Sequence, residues 1–188
     1  MWALRLGSYL FLRILKDKED RRFKEWKTSF PLFLRTWTLQ GMWIFLTSIA
    51  GLTVICSRNI VDPDLYFYFG CGIWVFGFLF ESISDYQKRK FKIENPKMFI
   101  KTGLWSLSRH PNYFGEIVLW IGIAIIAFPV LEGTQFVSLI SPVFVFWLLT
   151  KVSGVPLLEK HADKTWGKKK DYIKYKKDTP ILFPKFFK

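Results

Sequence analysis

The sequence predicts an all-α protein: a polytopic bundle of transmembrane helices with cytoplasmic loops and a cytoplasmic tail, folded as a single integral membrane domain over residues 1–188. Three observations predict it. Of the 188 residues, 51% are apolar and 19% aromatic, a composition too apolar for a soluble globule of this length. Four runs carry no charge: residues 36–57 (22 residues), 65–80 (16), 117–131 (15) and 133–150 (18). Finally, the charge alternates along the chain. Lys and Arg exceed Asp and Glu by three in 16–35, by three in 81–116 and by seven in 151–188, whereas 58–64 and Glu132 are each net −1. Basic and non-basic connections alternate as the positive-inside rule requires if the three basic segments share the cytoplasmic face. The net charge of +13 therefore reports topology, and nucleic acid is excluded as a partner. Membrane lipids are the expected surroundings, in a bacterial inner membrane or the endoplasmic reticulum.

Residues 1–14 are apolar apart from Arg5 and Arg13 and too short to span. They read as the end of a longer helix, with one or two helices missing before it, or as an interfacial helix; no basic region with a small-residue cleavage site marks a signal peptide. Residues 16–35 read as a cytoplasmic loop with a short helix, closed by Pro31. The first full span, 36–57, carries Gly41, Ser48 and Gly51, small residues that permit close helix packing in lipid. Asp62-Pro-Asp64 is a turn on the far side, and 65–81 returns with Gly70, Gly72 and Gly77 as small contacts. Cys56 and Cys71 have no metal-site spacing and read as small buried hydrophobes.

The runs of 16 and 15 residues must recruit flanking polar residues to span: Glu81 and Ser82 for one, Tyr113 and Phe114 for the other. Glu81 and Asp85, four apart, share a helical face, and the lysines and arginine that follow face headgroups. Asn95-Pro96 signals a loop. The second hairpin turns at Glu132-Gly133, and Ser153-Gly-Val-Pro156 breaks or kinks its return helix, with Glu159 a turn later. In the tail, Tyr172 and Tyr175 stand among Lys168, Lys169, Lys170, Lys174, Lys176 and Lys177, a pattern suited to a lipid surface, or to stacking on a flat ring while gripping phosphates.

The chain is organised around Gly103-Leu-Trp-Ser-Leu-Ser-Arg-His-Pro-Asn-Tyr-Phe-Gly-Glu116. Arg109, His110, Asn112, Tyr113 and Glu116 fall within eight residues, where the sequence passes from water-soluble to lipid-soluble. Ionisable groups at that boundary cost several kcal/mol, of the order of ~3 for a helix-centre charge, unless paired or wet, so such a cluster reads as a functional site. Pro111 belongs in the first turn of a helix, where its missing N–H is harmless, and Asn112 and Glu116 then share one face as a pocket wall. The set offers anion binding, hydrogen-bond donors and a counter-charge, the inventory for a large phosphorylated or zwitterionic cofactor that meets a lipid-soluble substrate. No phosphate loop, nucleophile elbow or zinc spacing is present, and no metal is expected.

This motif resembles the signature of the membrane family called domain of unknown function 1295, allied to the C-terminal domain of steroid 5-alpha-reductases and to sterol reductases. Arg5-Leu6, Asp20-Arg21-Arg22, Gln40-Gly41, Phe80-Glu81 with Asp85 and Gln87, Ser141-Pro142, and Ser153-Gly154 with Glu159 agree in order. The resemblance implies a helical bundle whose cytoplasmic half holds NADPH and whose membrane cavity admits a lipid (sterol, isoprenoid or acyl) with an activated double bond. By the same resemblance, Asp85 and Lys92 contact the nucleotide half, and Asn112 and Glu116 the nicotinamide end. Arg109, His110 and Tyr113 match the sterol-reductase form of the motif, and Tyr175, Lys176 and Lys177 a tail segment that closes over the cofactor. Steroid reductases have an Asn where this chain has Glu81, and they carry a substrate-binding carboxylate on a helix upstream of Met1. Isoprenylcysteine and phospholipid methyltransferases share an Arg-His-Pro-x-Tyr-x-Gly segment, with acids on the last helix, and bind S-adenosylmethionine. Glu159 followed by Lys160 departs from their paired acids. The expected function is thus NADPH-dependent reduction, with methyl transfer and non-catalytic lipid binding as alternatives.

Overall fold

The structure, a computed structural model, describes residues 2–17, 29–59 and 61–185. Among them every regular element is helical: α1 (Trp2–Asp17), α2 (Phe30–Cys56), α3 (Leu65–Glu94), α4 (Pro111–Ala127), α5 (Ile140–Trp147), α6 (Val155–Trp166) and α7 (Lys170–Asp178). Among the described residues four stretches are long and apolar enough to cross a membrane: Phe30–Cys56, Leu65–Glu94, Pro111–Val130 and Gly133–Trp166. The two short apolar runs do lengthen by recruiting the residues beside them, Glu81 and Ser82 in α3 and Tyr113 and Phe114 in α4.

Several boundaries differ from those the sequence suggests. Pro31 opens α2 instead of closing the loop before it, because a proline in the first helical turn gives up an N–H that has no partner there; Arg35 consequently lies inside the helix. Residues 18–28, with Asp20-Arg21-Arg22 and most of the expected loop, lie outside the described residues. The last hydrophobic stretch is not one α-helix. It runs as a 3₁₀ segment over Gly133–Leu139, α5, and a π-helical turn over Leu148–Val152, and ends at a bend over Ser153-Gly154 where the sequence places its break. Gly133 takes φ +52°, which only glycine adopts freely, at the turn of the hairpin. Asp64 caps α3 by accepting from the Phe67 amide at 2.9 Å.

The chain divides into two compact units, Met1–Phe45 and Leu46–Lys188. In the first, α1 exposes Leu4, Phe11, Leu12 and Leu15, and Phe33 packs on Trp37 one turn along α2. The second holds the motif. Its axis is the antiparallel pair α3 and α4, which meet through glycines spaced seven apart on each helix. A Cβ built on Gly77 would lie 2.7 Å from the Gly115 carbonyl oxygen, and one on Gly115 would lie 2.7 Å from that of Gly77; Gly70 and Gly122 reciprocate at 2.8 Å. The backbones therefore touch directly, as lipid-embedded helices do where no side chain intervenes. Gly41 and Gly72, also expected as contacts, have open space around them. Below this seam Ala50, Ala127 and Leu131 form a core with Val54, Ile123 and Leu139, and the Ser141 hydroxyl donates to the Thr47 carbonyl. Cys56 is exposed and Cys71 half-buried, so neither is the buried hydrophobe expected; both thiols are free.

Candidate functional site

The motif is held from both sides. Gly103 takes φ +62°, and a Cβ built on it would lie 2.6 Å from Gln87 Oε1, which accepts from the Leu104 amide at 2.9 Å. Trp105 donates from Nε1 to the Ser84 carbonyl at 2.9 Å, and the Lys88 ammonium sits 4.6 Å from the centre of its ring. On the other side runs the tail. The Arg109 and His110 amides donate to the carbonyls of Pro180 (2.9 Å) and Ile181 (3.1 Å), the Ser108 hydroxyl to that of Leu182 (2.8 Å), and the Lys185 amide to that of Leu107 (3.0 Å). Tyr175 adds a bond from its hydroxyl to the Trp105 carbonyl at 2.6 Å. Residues 180–185 thus form a strap along 107–110.

Held this way, Arg109 and His110 are almost wholly buried and converge on one carboxylate. Arg109 Nη1 donates to Glu159 Oε2, and His110 Nε2 lies 2.8 Å from Glu159 Oε1. Glu159 can reach them because the π-turn and the bend at Ser153-Gly154 redirect α6. Gly154 is needed there, since a Cβ would lie 2.5 Å from the Leu149 carbonyl oxygen and 2.9 Å from the Tyr113 ring. Tyr113 in turn stacks on His110, with ring centroids 5.6 Å apart and planes 13° from parallel. Asp163, one turn beyond Glu159, takes the Lys176 ammonium at 2.6 and 2.7 Å, and the Tyr172 hydroxyl donates to it at 3.3 Å. Burial pushes the Tyr172 phenol up to about 12 and the nearby Glu159 and Asp163 carboxylates add to this; burial also raises Tyr175. Both remain neutral hydrogen-bond donors at physiological pH.

Next to this network opens a cavity of about 270 Å3. Three cationic groups from two segments reach it: Lys88 and Lys92 of α3, and Arg109 of the motif. Its aromatic wall comes from Phe99, Trp105, Trp166, Tyr172 and Tyr175, among which Phe99 lies 5.2 Å from Tyr172 and 5.5 Å from Tyr175. Glu159 is the one carboxylate among the described residues that line it. Two buried atoms of lining residues, Arg109 Nε and His110 Nδ1, and one on α4 outside the lining, Asn112 Oδ1, have no hydrogen-bond partner among the described residues. With Nε2 facing a carboxylate, His110 carries a proton there, and Nδ1 is an acceptor when the ring is neutral.

Of the residues singled out from sequence, Lys92, Arg109, His110, Glu159, Tyr172 and Tyr175 line the cavity. Lys176 and Lys177 line a separate hollow beside Asp163, from which the Lys176 ammonium comes within 3.8 Å of Glu159. Glu81, Asp85, Asn112, Tyr113 and Glu116 do not line the cavity; they lie along the α3–α4 pair, where Glu81 is buried with its backbone against Gly115. The pocket wall expected of Asn112 and Glu116 is therefore not the wall of this cavity, which is lined instead by Pro96, Met98, Phe99 and Ile100 of the loop before the motif. Sequence reasoning missed Lys88, Phe99, Trp105, His161 and Trp166. Trp105 alone carried a signal, a large aromatic inside the motif.

A family model described as Protein of unknown function (DUF1295) matches residues 1–179, and the chain belongs to that family. No curated protein and no solved structure matches the chain.

Proposed function

We propose that this family member is a multi-pass membrane reductase, its basic segments cytoplasmic, that uses NADPH to reduce an activated carbon–carbon double bond in a lipid-soluble substrate such as a sterol, an isoprenoid or an acyl chain. The observation that carries this reading is the charge state of the cavity. Both acids of α6 that face the motif are taken up inside the protein, Glu159 by Arg109 and His110 and Asp163 by Lys176. What remains toward the open space is cationic, from Lys88 and Lys92, between aromatic faces. That combination suits a flat heteroaromatic ring carrying phosphates. It disfavours S-adenosylmethionine, whose ammonium and sulfonium call for spare carboxylates, and so disfavours the methyltransferase alternative.

The residues present fit the cofactor. Lys88, Lys92 and Arg109 would hold its phosphates, and Trp105 and Tyr175 a ring. His110 Nδ1, an acceptor in the neutral ring, lies at the cavity without a hydrogen-bond partner among the described residues, and a donor such as a carboxamide N–H would offset its desolvation, on the order of 1–3 kcal/mol. NADPH supplies a hydride, which with one proton saturates the double bond while the cofactor leaves as NADP+. The fixed Arg109–Glu159–His110 network orients these groups before ligand arrives, and the aromatic wall limits water. Melting curves of purified protein with NADPH or S-adenosylmethionine test the reading, because a ligand stabilises only the state that binds it. Stabilisation by NADPH is expected. Stabilisation by S-adenosylmethionine instead would move the assignment to methyl transfer, and by neither to lipid binding.

A further inference from the structure

The strap that holds the motif has a second face. Residues 181–183 alternate in burial as an extended segment does: Leu182 is 6% exposed and turned inward, whereas Ile181 and Phe183 are 46% and 65% exposed. Phe183 lies 6.3 Å, ring to ring, from Phe114, which packs at 5.3 Å on Phe80. Phe80 closes one uncharged run and Phe114 lies three residues before another, so the exposed Phe183 sits at the depth where both apolar stretches give way to polar chain. Lys174, Lys177 and Lys185 are exposed on α7 and the strap around it. Of the acids on the same segment, Asp171 faces Lys101 at 3.7 Å and Asp178 closes α7 beside Lys177. An apolar pair at interface depth flanked by lysines is the pattern of a segment that lies on an anionic lipid surface.

We propose that the strap is an anionic-lipid anchor: Ile181 and Phe183 insert at the headgroup boundary, Lys174, Lys177 and Lys185 engage anionic headgroups, and the surface thereby stabilises the backbone that holds Arg109 and His110. The coupling is direct, since the carbonyls of Pro180 and Ile181, the latter one of the inserted residues, accept the amides of Arg109 and His110. The proposal rests on the membrane placement of α3 and α4 and not on any cofactor.

Amide hydrogen exchange of the full chain tests it, in nanodiscs of phosphatidylcholine alone and of phosphatidylcholine with phosphatidylglycerol. Exchange in residues 107–110 and in Lys185 should slow roughly tenfold or more in the anionic discs. Replacing Lys174, Lys177 and Lys185 together by Gln should abolish that difference, and Phe183→Ser should speed exchange in both kinds of disc. Equal protection of the unmodified chain in the two compositions would overturn the proposal without any variant. Slowing in neutral discs on addition of soluble glycerol phosphate would also overturn it, because a free phosphate site would then replace a lipid surface. The readout needs no NADPH, so a failure here is separable from a failure of the reductase reading.

Discussion

Adding one methyl group to Gly115 tests how α3 and α4 support the motif. A Cβ at Gly115 would stand 2.5 Å from the Glu81 amide nitrogen and 2.7 Å from the Gly77 carbonyl oxygen, while ordinary contact begins at 3.4 Å. Both obstacles are backbone, so no rotamer relieves them, and the helices must part by about 1 Å. Overpacking costs typically 1–3 kcal/mol. With two backbone collisions Gly115→Ala belongs at the upper end, about 3 kcal/mol, or roughly a hundredfold in the unfolding equilibrium. Gly72→Ala is the matched control on α3. It meets nothing within 4 Å and removes a flexible residue from a helix interior, so it should be neutral or stabilising by about 0.5–1 kcal/mol. Reversible unfolding in mixed micelles, followed by helical circular dichroism, measures both. If Gly115→Ala proved as benign as Gly72→Ala, the close α3–α4 seam would be refuted, and with it the placement of Glu81 and Asp85 beside the motif.

Glu159→Gln leaves the buried Arg109 guanidinium without its counter-charge and should cost about 2 kcal/mol of stability, read in the same unfolding assay, while freeing a cation toward the cavity. The phenol of Tyr172, raised to about 12 in the fold, favours the folded state fully below the ordinary value near 10, and this contribution is lost as pH climbs from 10 to 12. Alkaline melts should therefore show a stability loss across that window that is smaller in Tyr172→Phe, where only the other raised phenols such as Tyr175 remain to titrate. Asn112 and Glu116 stand along the α3–α4 pair outside the cavity, so Asn112→Asp, which adds a carboxylate beside Glu116, should lower the melting temperature while NADPH affinity per folded molecule stays unchanged. Titrations and melts on the same preparations decide it, and weakened affinity at unchanged stability would return the pair to the site.

The spans and the start of α4 were legible because they depend on local chemistry: uncharged length, and Pro111 in a first turn. Where local rules compete, reading failed. Pro31 looked like a loop closure because a proline that opens a helix and one that ends a segment leave the same mark. Gly41 and Gly72 carry the same signal as Gly70 and Gly77, and only the tertiary pairing of α3 with α4 shows which are used. Arg109 and His110 stood out at once, but their partner Glu159 lies 50 and 49 residues away and reaches them through the bend at Ser153-Gly154. The strap was legible as a tail with lysines and tyrosines. Its grip on the motif was not, because it is made of backbone amides and carbonyls, which every sequence supplies alike.

Isotope tracing tests the central claim most directly. Membranes containing the protein are supplied with an enone sterol, isoprenoid or acyl lipid and with NADPH deuterated at the reactive nicotinamide carbon. The account predicts a saturated product carrying a single deuterium, formed together with NADP+ and lost when the cationic wall is removed in Lys88→Gln with Lys92→Gln. Intact enone with unconsumed NADPH, together with transfer of a methyl group from S-adenosylmethionine to a lipid, would contradict it.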